Sequence, residues 1–374
     1  MAAAEPQNPL SRGGFLLLSR NFFEKPLFGL SKIPYLGASG NMKYPLRVLW
    51  CERTYHVSQL ISGRQAVRFV LSFCCLALLG ACTPPTRMAS QSQAQDSGKP
   101  LVLTTFTVLA DMARNVAGDR LQVRSIVKQG AEIHGYQPTP SDLAQAVGAD
   151  LIVENGFGLE LWARKFTAAA GKVSTLTLSE GMEPLLIEGD AYAGKPNPHA
   201  WMSPQRAMQY VDQLVKAFSR IDPEGAKTFA INGRRYKDQL QKLDDELRTS
   251  LATIPAKRRL LVTCEGAFTY LAKDYGMEEA YLWPVNAESE VTPQRMAKLI
   301  ETVKLREVPA IFCESTVSDK AQREVARASG ARFGGTFFVD SLSQADGPAS
   351  TLLDLQRHNV DLILDELVPV NREK

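Results

Sequence analysis

Residues Asp222–Ile254 read DPEGAKTFAINGRRYKDQLQKLDDELRTSLATI. The apolar or small positions Phe229, Gly233, Tyr236, Leu240, Leu243, Leu247, Leu251 and Ile254 recur at steps of three and four, the spacing of one helical face. Asp222 offers an acidic N-cap and Pro223 stands at the first helical position. Pro255 closes the far end, with no proline in between. At ~1.5 Å per residue the segment predicts a rod of about 45 Å, enough to run the height of a small domain pair. Short β-branched runs alternate with helical patterns on both sides of it. The expected architecture is therefore α/β, two lobes joined by one stiff helix. A long surface helix within a single domain is the plainer alternative, and it predicts no functional symmetry about the helix.

Ahead of the helix, residues 100–221 read as strand Leu101–Phe106, helix Thr107–Val116, strand Leu121–Val127, a helix from Thr139-Pro140 to Val147, strand Asp150–Glu154, a helix containing Leu161 and Trp162, and strand Val173–Leu178. Thr139-Pro140-Ser141-Asp142 has the form of a capping box with proline at the first helical position. Beyond the helix, residues 255–374 repeat the alternation. Strands Arg259–Cys264, Glu279–Trp283, Pro309–Cys313 and Ala331–Asp340 are followed by helices Ala267–Tyr275, one from Thr292-Pro293, Ser318–Ser329 and Ala349–Leu367. The helix starts Ser203-Pro-Gln-Arg206 and Thr292-Pro-Gln-Arg295 are nearly the same words. Four β-α steps per lobe predict (β/α)4-type lobes with mainly parallel sheets, helices on both faces, and ligands bound beyond the carboxyl ends of strands.

At 374 residues, 45% hydrophobic and 22% charged, the chain is globular and long enough for two domains. The formal charge of +3 is misleading, because residues 1–82 hold nine Lys/Arg against three Asp/Glu while residues 83–374 hold 34 against 37. The body carries no basic footprint for nucleic acid. Arg64 and Arg68 precede the thirteen apolar or small residues of Phe69–Ala81, too few to span a bilayer but suited to the h-region of a signal peptide. Leu79-Gly80-Ala81-Cys82 resembles a bacterial lipobox, with Cys82 as the lipidated first residue of a mature, membrane-anchored chain outside the cytoplasm. Residues 64–82 are thus the expected lipoprotein leader and residues 83–99, small, polar and proline-containing, its flexible tether. Residues 1–63 lie upstream of that leader and read as an over-extended start.

Within the body, His134 and His199 sit in Gly/Pro-bounded loops beyond strands, whereas His358 lies in the polar run of the last helix. Taken singly, each loop histidine reads as a hydrogen-bonded surface residue. Lobe two offers carboxylates instead: Glu265 after Leu260–Cys264, and Asp340 after Thr336–Val339. Glu265 also suits a helix N-terminus and Asp340 a turn, and Glu314 follows a strand as well.

Together the segments HGYQPTPSDL (134–143), ENGFGLELW (154–162), NPHAWMSP (197–204), CEGAFTYLAKDYG (264–276) and FVDSL (338–342) resemble the metal-binding solute-binding lipoproteins of bacterial manganese and zinc ABC transporters, solute-binding protein family 9. The resemblance runs from about Lys99 to Leu367, in order and around the same long helix. It implies metal ligation by His134, His199, Glu265 and Asp340, two per lobe. It also implies delivery of the ion to a membrane permease with its ATPase, by a monomer with no catalytic function. Zinc members usually carry histidine where Glu265 stands and often a His-rich loop before the position of His199; here residues 186–198 contain no histidine. Two imidazoles and two carboxylates, the latter able to bind through both oxygens, suit Mn²⁺, whereas tetrahedral Zn²⁺ sites lean on His and Cys. Mn²⁺ is the expected cargo and Zn²⁺ or Fe²⁺ the alternatives. A His/carboxylate metalloenzyme is the rival class, opposed by the lipid anchor, the absence of a general-base motif and a fourth protein ligand from a second lobe.

Cys264 and Cys313 are the cysteines that remain in the body. Both end apolar strand runs of lobe two, so neighbouring strands could bring them into disulfide range, and an exported chain meets oxidising conditions. The expectation is a disulfide; a pair of buried thiols is the alternative. Because Cys264 adjoins Glu265, reduction is further expected to loosen one wall of the metal cage.

Overall fold

The first lobe opens with β1 (Leu101–Thr104), α1 (Thr107–Ala117), β2 (Gln122–Ser125), α2 (Pro140–Val147), β3 (Leu151–Glu154), α3 (Ala163–Ala170) and β4 (Ser174–Thr177) in a computed structural model that describes residues 98–188, 192–285 and 291–369. The upstream stretch 1–63, the leader 64–82 with Cys82, and the tether as far as residue 97 lie outside the described residues. Among the described residues no helix is long and apolar enough to cross a membrane. The four strands form one parallel sheet in the order β2-β1-β3-β4, with Val102 paired to Val123 on one side and Leu151 on the other. The capping box forms as its sequence predicts: the Thr139 side chain accepts from Asp142 N–H and the Asp142 carboxylate accepts from Thr139 N–H, with Pro140 opening the helix.

After a 3₁₀ turn (Ala200–Met202) and α4 (Pro204–Ile221) comes the linking helix, α5 (Ala226–Leu251). Its 26 residues make a rod of about 39 Å. The α-helix proper starts later than expected because Asp222 caps a 3₁₀ turn at Pro223–Gly225, accepting from Gly225 N–H and pairing with Arg120 at 2.7 Å. All eight periodic positions from Phe229 to Ile254 are buried. They face α1 and α4 in one lobe; in the other they meet α6 (Thr269–Tyr275) and α9 (Leu352–Leu367).

Lobe two also contains β5 (Leu260–Glu265), β6 (Glu278–Trp283), α7 (Pro293–Leu305), β7 (Ala310–Glu314), α8 (Lys320–Ser329) and β8 (Arg332–Phe337). All its ladders are parallel, but they join β5 to β6 and β7 to β8 as two separate pairs. The pairs are stitched by a disulfide between Cys264 on β5 and Cys313 on β7, Cα atoms 4.8 Å apart. A hydrogen bond from Glu265 N–H to the Glu314 carboxylate, at 3.3 Å, crosses the same seam. The last strand stops at Phe337, three residues before the predicted end. Its ladder slips in register near Gly335, whose φ of 142° only glycine adopts comfortably, so the chain has already turned when it reaches Asp340. One hydrophobic core spans both lobes, running from Val102 and Phe106 through Phe229, Tyr236 and Leu240 of α5 to Phe268, Phe337 and Leu355.

Candidate metal centre

His134 lies in the loop after β2, and His199 precedes the 3₁₀ turn that leads into α4. Glu265 is the last residue of β5, and Asp340 follows β8. Glu265 stands at the carboxyl end of a parallel strand and the other three beyond such ends, where α/β lobes present side chains to ligands. The structure brings the four together, with one donor atom of each within 4.8 Å of all the others. His134 Nε2 is 3.3 Å from Glu265 Oε1 and 3.4 Å from Asp340 Oδ2; His199 Nε2 is 3.6 Å from Asp340 Oδ1 and 4.0 Å from Glu265 Oε1. Donors held ~2.1 Å from a common centre at tetrahedral angles lie ~3.4 Å apart. These side chains are thus spaced as ligands of one small cation.

Burial makes the arrangement chemically pointed. His199, Glu265 and Asp340 are at most 2% exposed. Both ring nitrogens of His134, Nε2 of His199 and Oδ1 of Asp340 are buried without a hydrogen-bond partner. Buried polar atoms in proteins are almost always partnered, and three of these orphans, His134 Nε2, His199 Nε2 and Asp340 Oδ1, face one point, which is what a bound cation satisfies. Desolvation alone would lower the pKa of His134, but the charges of Glu265 and Asp340 override it and hold the imidazole well above its ordinary value. Burial works to raise Asp340, yet the two imidazoles facing it hold its carboxyl well below the usual range.

Each of the four side chains is held from behind. The Glu132 carboxylate accepts from the N–H groups of His134 and Gly135, and Trp162 Nε1 donates to Ile133 O at 2.9 Å. The ring of Trp201 lies 5.1 Å from that of His199, and its Nε1 donates to Val339 O at 3.2 Å, one residue before Asp340. Gly266 leaves room for the Tyr281 ring, which a Cβ there would meet at 2.9 Å. Glu314 receives Glu265 N–H, and burial together with the charge of Glu265 pushes its carboxyl well above the ordinary value. Behind the His199 loop, Asn155 Nδ2 donates to Pro198 O at 2.9 Å, and buried Glu160, its pKa pushed up to about 7 by desolvation, accepts from Asn155 N–H.

His358 lies apart from the cage, near Thr336 O and the Phe338 ring. A second acidic and sulfur cluster, Cys264, Cys313 and Glu314, offers no thiolate, since its sulfurs are bonded to one another. Sequence reasoning passed over Asn197, Trp201 and Glu132 as supports. The first two stood within the segment NPHAWMSP, but nothing in their spacing announced what they would touch.

Residues 102–366 match the family described as "ZnuA: Zinc-uptake complex component A periplasmic". The chain belongs to the ZnuA family. Within it, similarity is 45% identity over 279 residues to the iron-binding protein YfeA of Yersinia pestis, covering 74% of this chain and 90% of that one. The manganese ABC transporter substrate-binding lipoprotein PsaA of Streptococcus pneumoniae is 33% identical over 283 residues, covering 74% and 91%. Among solved structures, the periplasmic zinc-binding protein TroA of Treponema pallidum superposes with a TM-score of 0.69 at 29% identity, over 73% of this chain and 100% of the other. ZnuA-family membership makes the chain a substrate-binding transport protein and not an enzyme, and the two-lobe architecture is that of TroA.

Proposed function

We propose that His134, His199, Glu265 and Asp340 bind one divalent cation, Mn²⁺, as the cargo of an ABC importer. The protein is an extracytoplasmic metal-binding component that works with a membrane permease and its ATPase. It does so as a monomer tethered through lipid on Cys82. The supporting observation is the donor set itself: two imidazoles and two carboxylates, buried, converging from both lobes, with orphaned atoms at ligand spacing. Oxygen-rich sites of this kind suit Mn²⁺, because a carboxylate binding through both oxygens raises coordination above four. Zn²⁺ is the second reading, favoured by N···O spacings close to the tetrahedral value, and Fe²⁺ the third, by likeness to YfeA. On the Irving–Williams order zinc binds such a site tightly whatever its cargo, so affinity in vitro does not identify the ion.

Elemental analysis of the protein recovered from its native compartment tests the cargo: manganese is expected, and zinc alone would overturn it. The ligand set is tested by heat. Mn²⁺ at ~100 times Kd should stabilise the fold by roughly 2.7 kcal/mol, a rise that Asp340→Ala abolishes if the four residues form the cage.

A further inference from the structure

His199 has a neighbour with two duties. The Oδ1 of Asn197 accepts from His199 N–H at 3.0 Å and faces His199 Nδ1 at 3.1 Å. Its Nδ2 donates to Gly266 O at 2.7 Å and to Thr269 Oγ1 at 3.0 Å, both in lobe two. Thr269 Oγ1 in turn donates to the Glu279 carboxylate at 2.7 Å, which also receives Phe268 N–H, so the receiving loop is itself anchored. Asn197 is 1% exposed, and its own carbonyl accepts from Tyr270 OH on α6 at 2.7 Å.

Two of these bonds fix the orientation of the amide. A backbone N–H can only donate and a backbone carbonyl can only accept, so Oδ1 faces His199 and Nδ2 faces Gly266. Nδ1 of His199 must then carry the ring proton, and the lone pair is left on Nε2, the atom that points into the cage. The same amide grips the carbonyl of the residue after Glu265. A ligand of lobe one and a ligand of lobe two therefore share one side chain behind them. His134 has no counterpart: its Nδ1 is buried without a partner, and its orientation comes from backbone bonds within its own loop.

We propose that Asn197 is a positioning residue that presets the metal-binding tautomer of His199 and clamps it to the Glu265 loop, so that the cage closes on its ion as one unit and releases it slowly. The inference rests on reading the four residues as the cage. Asn197→Asp separates the two duties: the carboxylate still accepts from His199 but sets an oxygen against Gly266 O and loses the clamp. Asn197→Ala loses both.

The experiment measures Mn²⁺ affinity and, with a chelator trap, the Mn²⁺ dissociation rate, alongside the melting temperature of the metal-free protein. Asn197→Ala should weaken affinity by roughly 10–100-fold. Asn197→Asp should release Mn²⁺ faster than wild type and more slowly than the alanine variant. Wild-type affinity and release in both variants overturns the proposal, as does a lowered metal-free melting temperature with release unchanged, which a purely structural role would give. If the alanine variant does not fold, the nearly isosteric aspartate variant decides alone: faster release supports the clamp and unchanged release removes it. Asp340→Ala, run in parallel, keeps the failures apart. If it still binds Mn²⁺ the cage is wrong; if it does not while both Asn197 variants behave as wild type, only the clamp is wrong.

Discussion

Reducing the Cys264–Cys313 bond removes the covalent tie between the two strand pairs of lobe two, and the cost can be worked from the fold. The bond closes a loop of 49 positions that runs from the end of β5 through α6, β6 and α7 into β7. Chain entropy assigns such a closure roughly 4 kcal/mol. Among the described residues no backbone ladder joins β5 to β7, so the cross-link is the covalent tie at that seam, beside the buried packing of the two strands and the Glu265 to Glu314 bond. For a body this large ~1 kcal/mol moves the midpoint by ~2 °C, so the metal-free protein should melt about 8 °C lower when reduced. The comparison is best made on wild-type protein by calorimetry with and without a phosphine reductant, because retained thiols leave the core volume nearly unchanged; thiol titration confirms the state of each sample. The slack reaches the cage through adjacent residues, Cys264 to Glu265 and Cys313 to Glu314, so reduction should also weaken Mn²⁺ affinity. A reduced midpoint within 2 °C of the oxidised one refutes the stitch. A lowered midpoint with unchanged affinity leaves the bridge structural and removes redox control of release.

Three further outcomes are expected. Glu265→His removes a carboxylate able to bind through both oxygens and adds a third imidazole, so competition dialysis against equal Mn²⁺ and Zn²⁺ should shift toward zinc; an unchanged ratio denies this position a role in selectivity. His134 has a raised pKa, so in the metal-free protein its contribution to stability is full below about pH 6.5 and lost as pH rises through the folded value. Asp340, with a lowered pKa, contributes above about pH 4 and loses this as pH falls through its folded value. The ion must displace the His134 proton, so affinity should rise about tenfold per pH unit while that proton is bound, and a flat profile between pH 5.5 and 7.5 contradicts it. Finally, α5 is continuous and packed on both lobes, a poor hinge, so small-angle scattering should give nearly the same radius of gyration with and without metal.

What could be read from sequence was what repeats or punctuates. The α5 face, the Thr139 capping box and the placing of His134, His199, Glu265 and Asp340 beyond strands all follow from periodicity and breakers, which act over a few residues. What could not be read acts across the chain. Asn197 meets Gly266 and Thr269 about seventy positions away, a contact with no local signature. Asp244 stands in a run of charges in the sequence of α5, yet it is buried and accepts from Tyr275 OH at 2.8 Å. The 3₁₀ turn before α5 was hidden because Asp222 and Pro223 suit the start of either kind of helix. The break between the strand pairs of lobe two left no mark, since the apolar runs of β5 and β7 read alike whether laddered or merely adjacent.

The core shared by both lobes bears on how the molecule is made. A chain emerging N-terminus first presents β1 to β4 long before α9, but α9 closes the core around α1 and α5, and its Leu352 N–H is received by Asp111 on α1. Its Gln356 donates to Trp201 O beneath His199. The first lobe therefore cannot finish folding, nor the His199 loop settle, until nearly the last residue of α9 has arrived. For a chain exported as its leader predicts, the core, the disulfide and the proposed cage would form together, only after the whole body has crossed.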